Sequence, residues 1–405
     1  MSLSEKQQNI YDYFFETDDS IFISGPGGCG KSYLFSKIYN EATFRGINIG
    51  VTATSASAAI LIGGRTIHSF LKIGLAEKSA EYLADQTKRD RTTYRKLREL
   101  EVLAIDEISM LSKDLLEKIS KYLSILRGNS APFGGLRVVF LGDFCQLPPV
   151  GTGEAYCFKS EIFEIIKTFE LTENIRQRND MLLQKILNKI RWGKCSQKTL
   201  DCINGFDIEE SDIEPTILYT KNVDIDNLNS KKFEELVKTT GVKVHVFTTK
   251  YGNKKAEYLK FPSTVKLAIG AQVVVTWNIC QDAELINGTR GIIVNIIGNI
   301  VYIKTKNGQI HQIQYVTITP DPLEPDTTLT YMPLRLAYAI TIHKSQGMTL
   351  DSVIIDMKDI FEYGQAYVAL SRVRDSKSLK VLNARRGHFK THPDVLEFYQ
   401  KIESI

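Results

Sequence analysis

The six cysteines (Cys29, Cys145, Cys157, Cys195, Cys202 and Cys280) nowhere fall in C-x-x-C spacing. That argues against a zinc site and against a disulfide framework, and it points to a reducing compartment. No apolar run approaches the roughly 18 residues that a bilayer span needs, and the opening MSLSEKQQNI lacks the apolar core of a signal peptide. The expectation is a soluble chain, in the cytoplasm of a bacterium or virus-infected cell or in a nucleus or mitochondrion. No internal repeat and no low-complexity tract interrupts the sequence. A strong charge of one sign is also missing: 51 Lys and Arg face 47 Asp and Glu, a formal net charge of +4 that permits a nucleic-acid partner without demanding one. His388 and His392 stand four apart with no further ligand nearby and read as surface residues. What is present, 405 residues with 43% hydrophobic and 24% charged, suits a globular protein of two or three domains.

The most informative stretch is SGPGGCGKSYL, residues 24–34, where Gly25, Gly30, Lys31 and Ser32 satisfy G-x-x-x-x-G-K-[ST]. An apolar run precedes it (Ile21–Ile23) and a helical pattern follows (Tyr33–Tyr39), the strand, loop and helix that this motif requires. Glycines let backbone N–H groups curl around an anion, the helix N-terminus adds positive field, a lysine meets the outer phosphates, and a hydroxyl suits Mg²⁺. Seventy-five residues beyond Lys31, the buried run Val102–Asp106 ends in the pair Asp106-Glu107. A carboxylate at such a strand tip holds Mg²⁺, and an adjacent Glu can align and deprotonate an attacking water. A further strand, Leu136–Asp143, leads into FCQLPPV, where Pro148 and Pro149 fix a turn beside Gln146. A glutamine held there can bond a water or a γ-phosphate.

Around these signals the chain alternates short apolar strands with helices, which predicts parallel sheets with crossover helices. Residues 72–101 read as a polar surface insert, and Lys88–Arg98 within it carries six basic residues against one acidic, with Tyr94 among them. Such a run is either a solvated helix face or a phosphate-tracking surface. A boundary is expected near residue 170. From 241 to 331 short β-branched runs separated by Asn287-Gly288 and Asn307-Gly308 predict a small antiparallel barrel, and the α/β pattern resumes at Leu334.

Taken in order, these segments resemble superfamily 1 helicases, most closely the 5′-to-3′ branch of petite integration frequency (PIF-type) helicases related to phage Dda and RecD. LSEKQ looks like the adenine-reading motif and GPGGCGKS like motif I. TSASAAILIGGRTIHSF looks like the motif Ia region, LAIDEISM like motif II and FLGDFCQLPPV like motif III. NIRQ supplies the motif IV arginine, GAQVVVTWN with INGTRG matches a stretch at the inserted barrel, and AYAITIHKSQGMTL and AYVALSRVR look like motifs V and VI. The resemblance implies an α/β fold of two RecA-like domains, 1–170 with its insert at 72–101, then 171–240 with 332–405, the second carrying an SH3-like barrel at 241–331. It implies ATP and Mg²⁺ as cofactors, with Gln7, Gly25, Pro26, Gly27, Gly28, Cys29, Gly30, Lys31, Ser32, Tyr33, Gly347 and Arg372 around the nucleotide. Ser32 and Asp106 would hold the metal, Glu107 the attacking water and Gln146 the γ-phosphate, while Arg176 and Arg372 would act as arginine fingers. Closure of the two lobes on ATP and their reopening after hydrolysis would drive translocation. Thr54, Ser55, His68, Ser69 and Phe70, then Thr341, His343 and Lys344, would contact single-stranded DNA. Partners are single-stranded and tailed or forked duplex DNA, met by a monomer away from membranes. Three other readings stay open: a GTPase-type switch, for which no guanine-reading N-K-x-D is found, a translocase that does not unwind, and a helicase acting on RNA.

Overall fold

The structure is a computed structural model that describes residues 2–151, 155–209, 213–220, 225–253, 261–280, 285–319 and 326–403. Among these the chain forms two compact units, one of the residues up to Ile175 and from Thr391 on, the other from Arg176 to Lys390.

The first unit is built on a six-stranded sheet: β1 (Ile21–Ser24), β2 (Ile49–Ala53), β3 (Arg65–Thr66), β4 (Val102–Asp106), β5 (Arg137–Gly142) and β6 (Lys167–Glu170) in the order β3-β2-β4-β5-β1-β6. All its pairings are parallel. Every residue of β1, β2 and β4 is buried, as a parallel sheet covered on both faces requires. Helix α1 (Glu5–Glu16) starts in a capping box between Ser4 and Gln7 and buries Ile10 and Phe14, while α2 (Lys31–Phe44) follows the phosphate-loop motif.

The polar insert folds as two helices, Ala80–Arg89 and Arg91–Glu99, capped by Ser79 and Asp90. It is anchored on the helix Lys113–Arg127: the Tyr122 hydroxyl lies 2.9 Å from Thr87 Oγ1 and donates to the Leu71 carbonyl, and the Arg127 guanidinium donates to the carbonyls of Leu97 and Leu100. Lys88, Arg89, Arg91, Arg95 and Arg98 are exposed, with Lys88 beside Asp85 and Arg95 beside Glu99.

The C-terminal helix Pro393–Glu403, expected in the second α/β domain, belongs to the first unit. Phe398 stacks on Phe158 and meets Phe144 edge-on, so the helix completes an aromatic cluster that also holds Phe22 and Phe163. An amphipathic helix goes where complementary apolar surface is left uncovered, and here the first sheet supplies it.

The second unit has a parallel sheet of Ala339–Thr341, Thr216–Tyr219, Val353–Asp356 and Leu379–Leu382, in that order. The barrel region holds a five-stranded antiparallel sheet, Ile310–Ile313, Ile300–Thr305, Arg290–Ile297, Gln272–Val275 and Leu334–Leu336. It also holds a pair, His245–Thr248 with Thr264–Leu267, and a three-stranded sheet that includes Val316–Ile318. Phe247 and Leu267 share one core with Val273, Ile293 and Ile303. The antiparallel part runs past the expected limit of 331 because Leu334–Leu336 pairs with Gln272–Val275.

Arg290 joins this sheet to the parallel one. It is fully buried, its guanidinium donates to the carbonyls of Glu214 and Ala337, and its backbone N–H donates to Asp351 Oδ2 at 2.7 Å. Burial pushes the Asp351 carboxyl above the usual carboxylate range, and Arg290 counters that shift. Arg290→Ala is expected to cost about 3 kcal/mol, because it strands the buried Glu214 and Ala337 carbonyls and empties the space of a fully buried side chain, while Asp351 keeps its bond to the backbone N–H. Urea unfolding checks this, and a loss below about 1 kcal/mol would show that Arg290 is not a structural tie.

Candidate nucleotide site and nucleic-acid interface

β4, β5 and β1 lie side by side, and parallel register sets Ser24 against Gly142 and Ala53 against Asp106 at one edge of the sheet. Three loops therefore leave together: the phosphate loop from β1, Glu107 from β4, and the Gln146 loop from β5. Carboxyl ends of parallel strands are where such sheets hold ligands.

In the phosphate loop Gly28 and Gly30 have φ of 89° and 87°. A Cβ on Gly30 would stand 2.7 Å from Gln7 Nε2, and one on Gly25 2.4 Å from the Leu171 carbonyl, so the cradle admits no side chain at either place. Lys31 Nζ donates to the Gly25 and Pro26 carbonyls at 2.6 and 3.1 Å and lies 3.7 Å from Cys29 Sγ. Ser32 is exposed at the start of α2, with Tyr33 beside it, and Gly27 is buried in the loop. Gln7 is buried, accepts from Ser4 N–H in its capping box and donates to the Gly30 carbonyl at 3.4 Å, which places it at the foot of the loop.

Asp106 and Glu107 are both buried. Burial, and then the charge of Glu107, push the Asp106 carboxyl up to about 7, against the pull of Lys31 and of the Glu107 N–H that it accepts at 2.8 Å. Glu107 stands in the left-handed region (φ 55°, ψ 45°), a strained conformation for a residue with a Cβ. Thr54 braces it: its hydroxyl donates to the Glu107 carbonyl at 2.9 Å and its N–H to the Asp106 carbonyl at 3.2 Å. Gln146 leaves a turn closed by its own N–H on the Asp143 carbonyl at 2.9 Å. Its side chain is buried and its amide oxygen has no hydrogen-bond partner among the described residues. A buried acceptor of this kind suits a water or phosphate-bound group. With the glycine cradle and a carboxyl whose charged form awaits a cation, these residues fit a magnesium nucleotide.

In the second unit Arg176 donates to the Ser371 carbonyl at 2.9 Å, and Gln177 donates to the carbonyls of Ser371 and Val373. Arg372 is buried, with Nε on the Val368 carbonyl at 2.8 Å, one terminal nitrogen on the Ser345 carbonyl at 3.3 Å, and the other on Ser371 Oγ at 2.8 Å. The two expected arginine fingers are thus brought together on one segment, each engaged by carbonyls. Thr341 is buried and its hydroxyl accepts from Lys344 N–H, His343 lies 3.6 Å from Glu362, and Lys344 and Gly347 are exposed.

Of the first-unit residues expected on DNA, Ser55 is half-buried and caps the following helix, while His68 is half-buried with its pKa lowered by that burial. Ser69 is exposed. Phe70, expected to stack on a base, does not stand open: its ring is buried against Gly50, with the Lys96 ammonium 4.5 Å from its centroid. A Cβ at residue 50 would stand 2.4 Å from that ring, so the strand glycine makes room for it.

Comparison with known proteins bears on the same residues. Residues 2–201 match the family described as PIF1-like helicase. The ATP-dependent DNA helicase Pif1 of Bdellovibrio bacteriovorus is 32% identical over 100% of this chain and 93% of its own. This chain belongs to the PIF1-like helicase family. The human ATP-dependent DNA helicase PIF1 is also 32% identical, over 98% of this chain and 63% of the human protein. Crystal structures agree. Candida albicans Pif1 gives a TM-score of 0.79 at 32% identity over 99% of this chain and 100% of that one. Bacteroides sp Pif1 in complex with ADP-AlF4 gives 0.84 at 26%, over 100% and 98%. The expectations of two RecA-like domains, of an ATP-dependent DNA helicase, and of ATP with magnesium stand on this membership. No helix among the described residues is long and apolar enough to cross a membrane.

In this PIF1-like helicase, three contacts escaped sequence reasoning: the brace from Thr54, the part of Gln177 in holding motif VI, and the buried ring of Phe70. Gln177 had a signal, since it adjoins Arg176 in NIRQ. The others depend on which neighbour a short side chain meets. Asp106→Asn, which at neutral pH removes the cost of burying an ionisable carboxyl beside Glu107, is expected to abolish magnesium-dependent ATP hydrolysis. It is also expected to raise the melting temperature of the nucleotide-free protein by roughly 2–4 °C. Calorimetry showing an unchanged or lower melting temperature would contradict the cost assigned to that carboxyl.

Proposed function

We propose that this chain translocates 5′ to 3′ on single-stranded DNA and unwinds duplexes ahead of it, coupling ATP hydrolysis to opening and closing of its two lobes. The observation that carries the reading is the convergence of the phosphate loop, Asp106-Glu107 and Gln146 on one sheet edge, in a chain whose Arg176 and Arg372 are gathered on a second unit. Related structures supply the partner class: Bacteroides Pif1 has been crystallised bound to single-stranded DNA, with 27% identity and a TM-score of 0.68 to this chain.

In this reading Gln7 meets the adenine and the phosphate-loop backbone with Lys31 neutralises the outer phosphates. Ser32 and Asp106 hold Mg²⁺, which supplies charge neutralisation on the phosphate oxygens. Glu107 takes a proton from water as its oxygen attacks the γ-phosphorus, and the bridging oxygen departs with ADP. Gln146 orients that water through its amide. Arg176 and Arg372 exchange carbonyl partners for the transferring phosphoryl group. Thr341, His343 and Lys344 contact the strand from the second unit, and Thr54, Ser55, His68 and Ser69 from the first. Leu75, 83% exposed in an insert loop where Lys72, Gly74 and Ala76 all have positive φ, offers an apolar tip for parting base pairs and favours unwinding over translocation alone.

The test places the full chain on duplexes tailed only at the 5′ or only at the 3′ end. ATP-dependent unwinding from the 5′ tail, DNA-stimulated hydrolysis, and loss of both in Lys31→Ala with strand binding retained are expected. Unwinding from the 3′ tail alone would refute the polarity, and normal turnover in Lys31→Ala would refute the site. Arg372→Ala is expected to lower kcat about a thousandfold with a much smaller change in nucleotide affinity. Equal losses in both, measured by steady-state kinetics and nucleotide titration, would assign Arg372 to structure alone.

A further inference from the structure

The C-terminal helix Pro393–Glu403 carries none of the helicase motifs, yet its Tyr399 reaches two of the loops that form the nucleotide site. The side chain is buried. Its hydroxyl lies 2.8 Å from Ser24 Oγ, accepts from Phe144 N–H at 3.2 Å and points at Asp143 Oδ1 at 3.4 Å. Ser24 is the last residue of β1, directly before the phosphate loop. Asp143 and Phe144 begin the loop that presents Gln146, and Asp143 shapes it twice: its carbonyl accepts from Gln146 N–H at 2.9 Å and its carboxylate from Cys145 N–H at 3.1 Å.

The position of this hydroxyl matters because the sheet gives out there. β1 and β5 are paired from Ile21 with Val139 to Ser24 with Gly142, and one more bond, Gly25 N–H to the Gly142 carbonyl at 3.2 Å, closes the ladder. Beyond Gly142 the two chains diverge into their loops. A phenol oxygen has one hydrogen to give and can accept as well, so a single group can bond to both departing chains. The helix that carries it is fixed by Phe398 on Phe158 and Phe144, with ring centroids 4.5 and 5.2 Å apart, and by Lys159 with Asp394 at 3.1 Å. Packing alone would be served by phenylalanine, whereas a buried hydroxyl costs free energy unless it is bonded.

We infer that Tyr399 is a positioning residue for ATP hydrolysis. Its hydroxyl extends the tie between β1 and β5 past the end of the sheet and holds the Gln146 loop in register with the phosphate loop. It acts through Asp143 and Phe144. The inference rests on the reading of Gln146 as the residue that meets the γ-phosphate end of the nucleotide.

The test compares Tyr399→Phe, Gln146→Ala and the double variant in the full chain, by DNA-stimulated ATP hydrolysis and by thermal melting. Tyr399→Phe keeps the ring and its packing. It is expected to lower kcat about tenfold, the effect of one hydrogen bond, with KM for ATP changed less than about twofold. In the Gln146→Ala background the same change is expected to add nothing, since residues acting as one unit are not additive. Wild-type kcat in Tyr399→Phe, with Gln146→Ala still impaired, overturns the positioning role and leaves the sensor reading intact. Losses that multiply in the double variant overturn it too, because Tyr399 would then act elsewhere. A fall in kcat that tracks a lowered melting temperature and disappears on cooling marks a purely structural role and overturns it as well. Wild-type kcat in Gln146→Ala alone removes the sensor reading, and with it the route through which Tyr399 is inferred to act.

Discussion

The first unit depends on tolerating two adjacent carboxylates at a strand tip that the sheet keeps nearly dry. Taking an ion from water into a protein interior costs several kcal/mol even after relaxation, and neighbouring like charges add to that. Asp106 answers by favouring its proton, and Glu107 beside it stands in a left-handed conformation. Neither arrangement is the most stable one for a bare fold. In the proposed reading, where Asp106 would meet a divalent cation and Glu107 a water, these are costs that binding can offset. The surrounding β2, β4 and β5, packed on both faces, supply the stability that lets this be carried.

The second unit shows the same logic with the sign reversed. Arg372 is among the largest side chains buried there, and its guanidinium donates to two carbonyls and a hydroxyl, while Arg176 donates to the carbonyl of the neighbouring Ser371. Hydrogen bonds to a charged group contribute on the order of 1.5–3 kcal/mol each. In the proposed reading, in which these arginines would exchange such carbonyls for phosphate oxygens, the bonds lost would offset part of the bonds gained, as suits a contact made and broken once per cycle. A guanidinium left solvated would have side-chain entropy to lose at that moment, and one already held by Val368, Ser345 and Ser371 has largely lost it.

How legible all this was in the sequence varied with the physical origin of each feature. The phosphate loop, Asp106 and Gln146 were readable because backbone geometry and strand termination impose a residue pattern at short range. The buried parallel strands were readable because runs such as VLAID leave no polar face. The domain limits were less so. Leu334–Leu336 is too short to declare its sheet, and residues 171–175 continue the first unit after the last strand by backbone bonds such as Leu171 N–H to the Ser24 carbonyl. The C-terminal helix announces an apolar face, but periodicity does not say which of two sheets will accept it. The helix Met181–Arg191 stops at Trp192-Gly193, where Gly193 takes φ 69°, and a second one starts at Gln197.

Phe70 is the instructive failure, because the residue type was right for base stacking and the neighbourhood was wrong. An aromatic ring offers a base its face only if nothing else covers it, and here Gly50 provides the cavity and Lys96 the lid. With that ring withdrawn, the first-unit groups left near the expected strand are hydroxyls and an imidazole: Thr54, Ser55, His68 and Ser69. Groups of that kind meet phosphate and sugar, and such contacts set register without reading sequence. Thr54 adds a second consequence, since its hydroxyl already braces Glu107. In the proposed reading, a strand phosphate that drew this hydroxyl away would remove a hydrogen bond that holds the left-handed Glu107. Thr54 would then be the single side chain between the proposed strand contact and the proposed hydrolytic carboxylate.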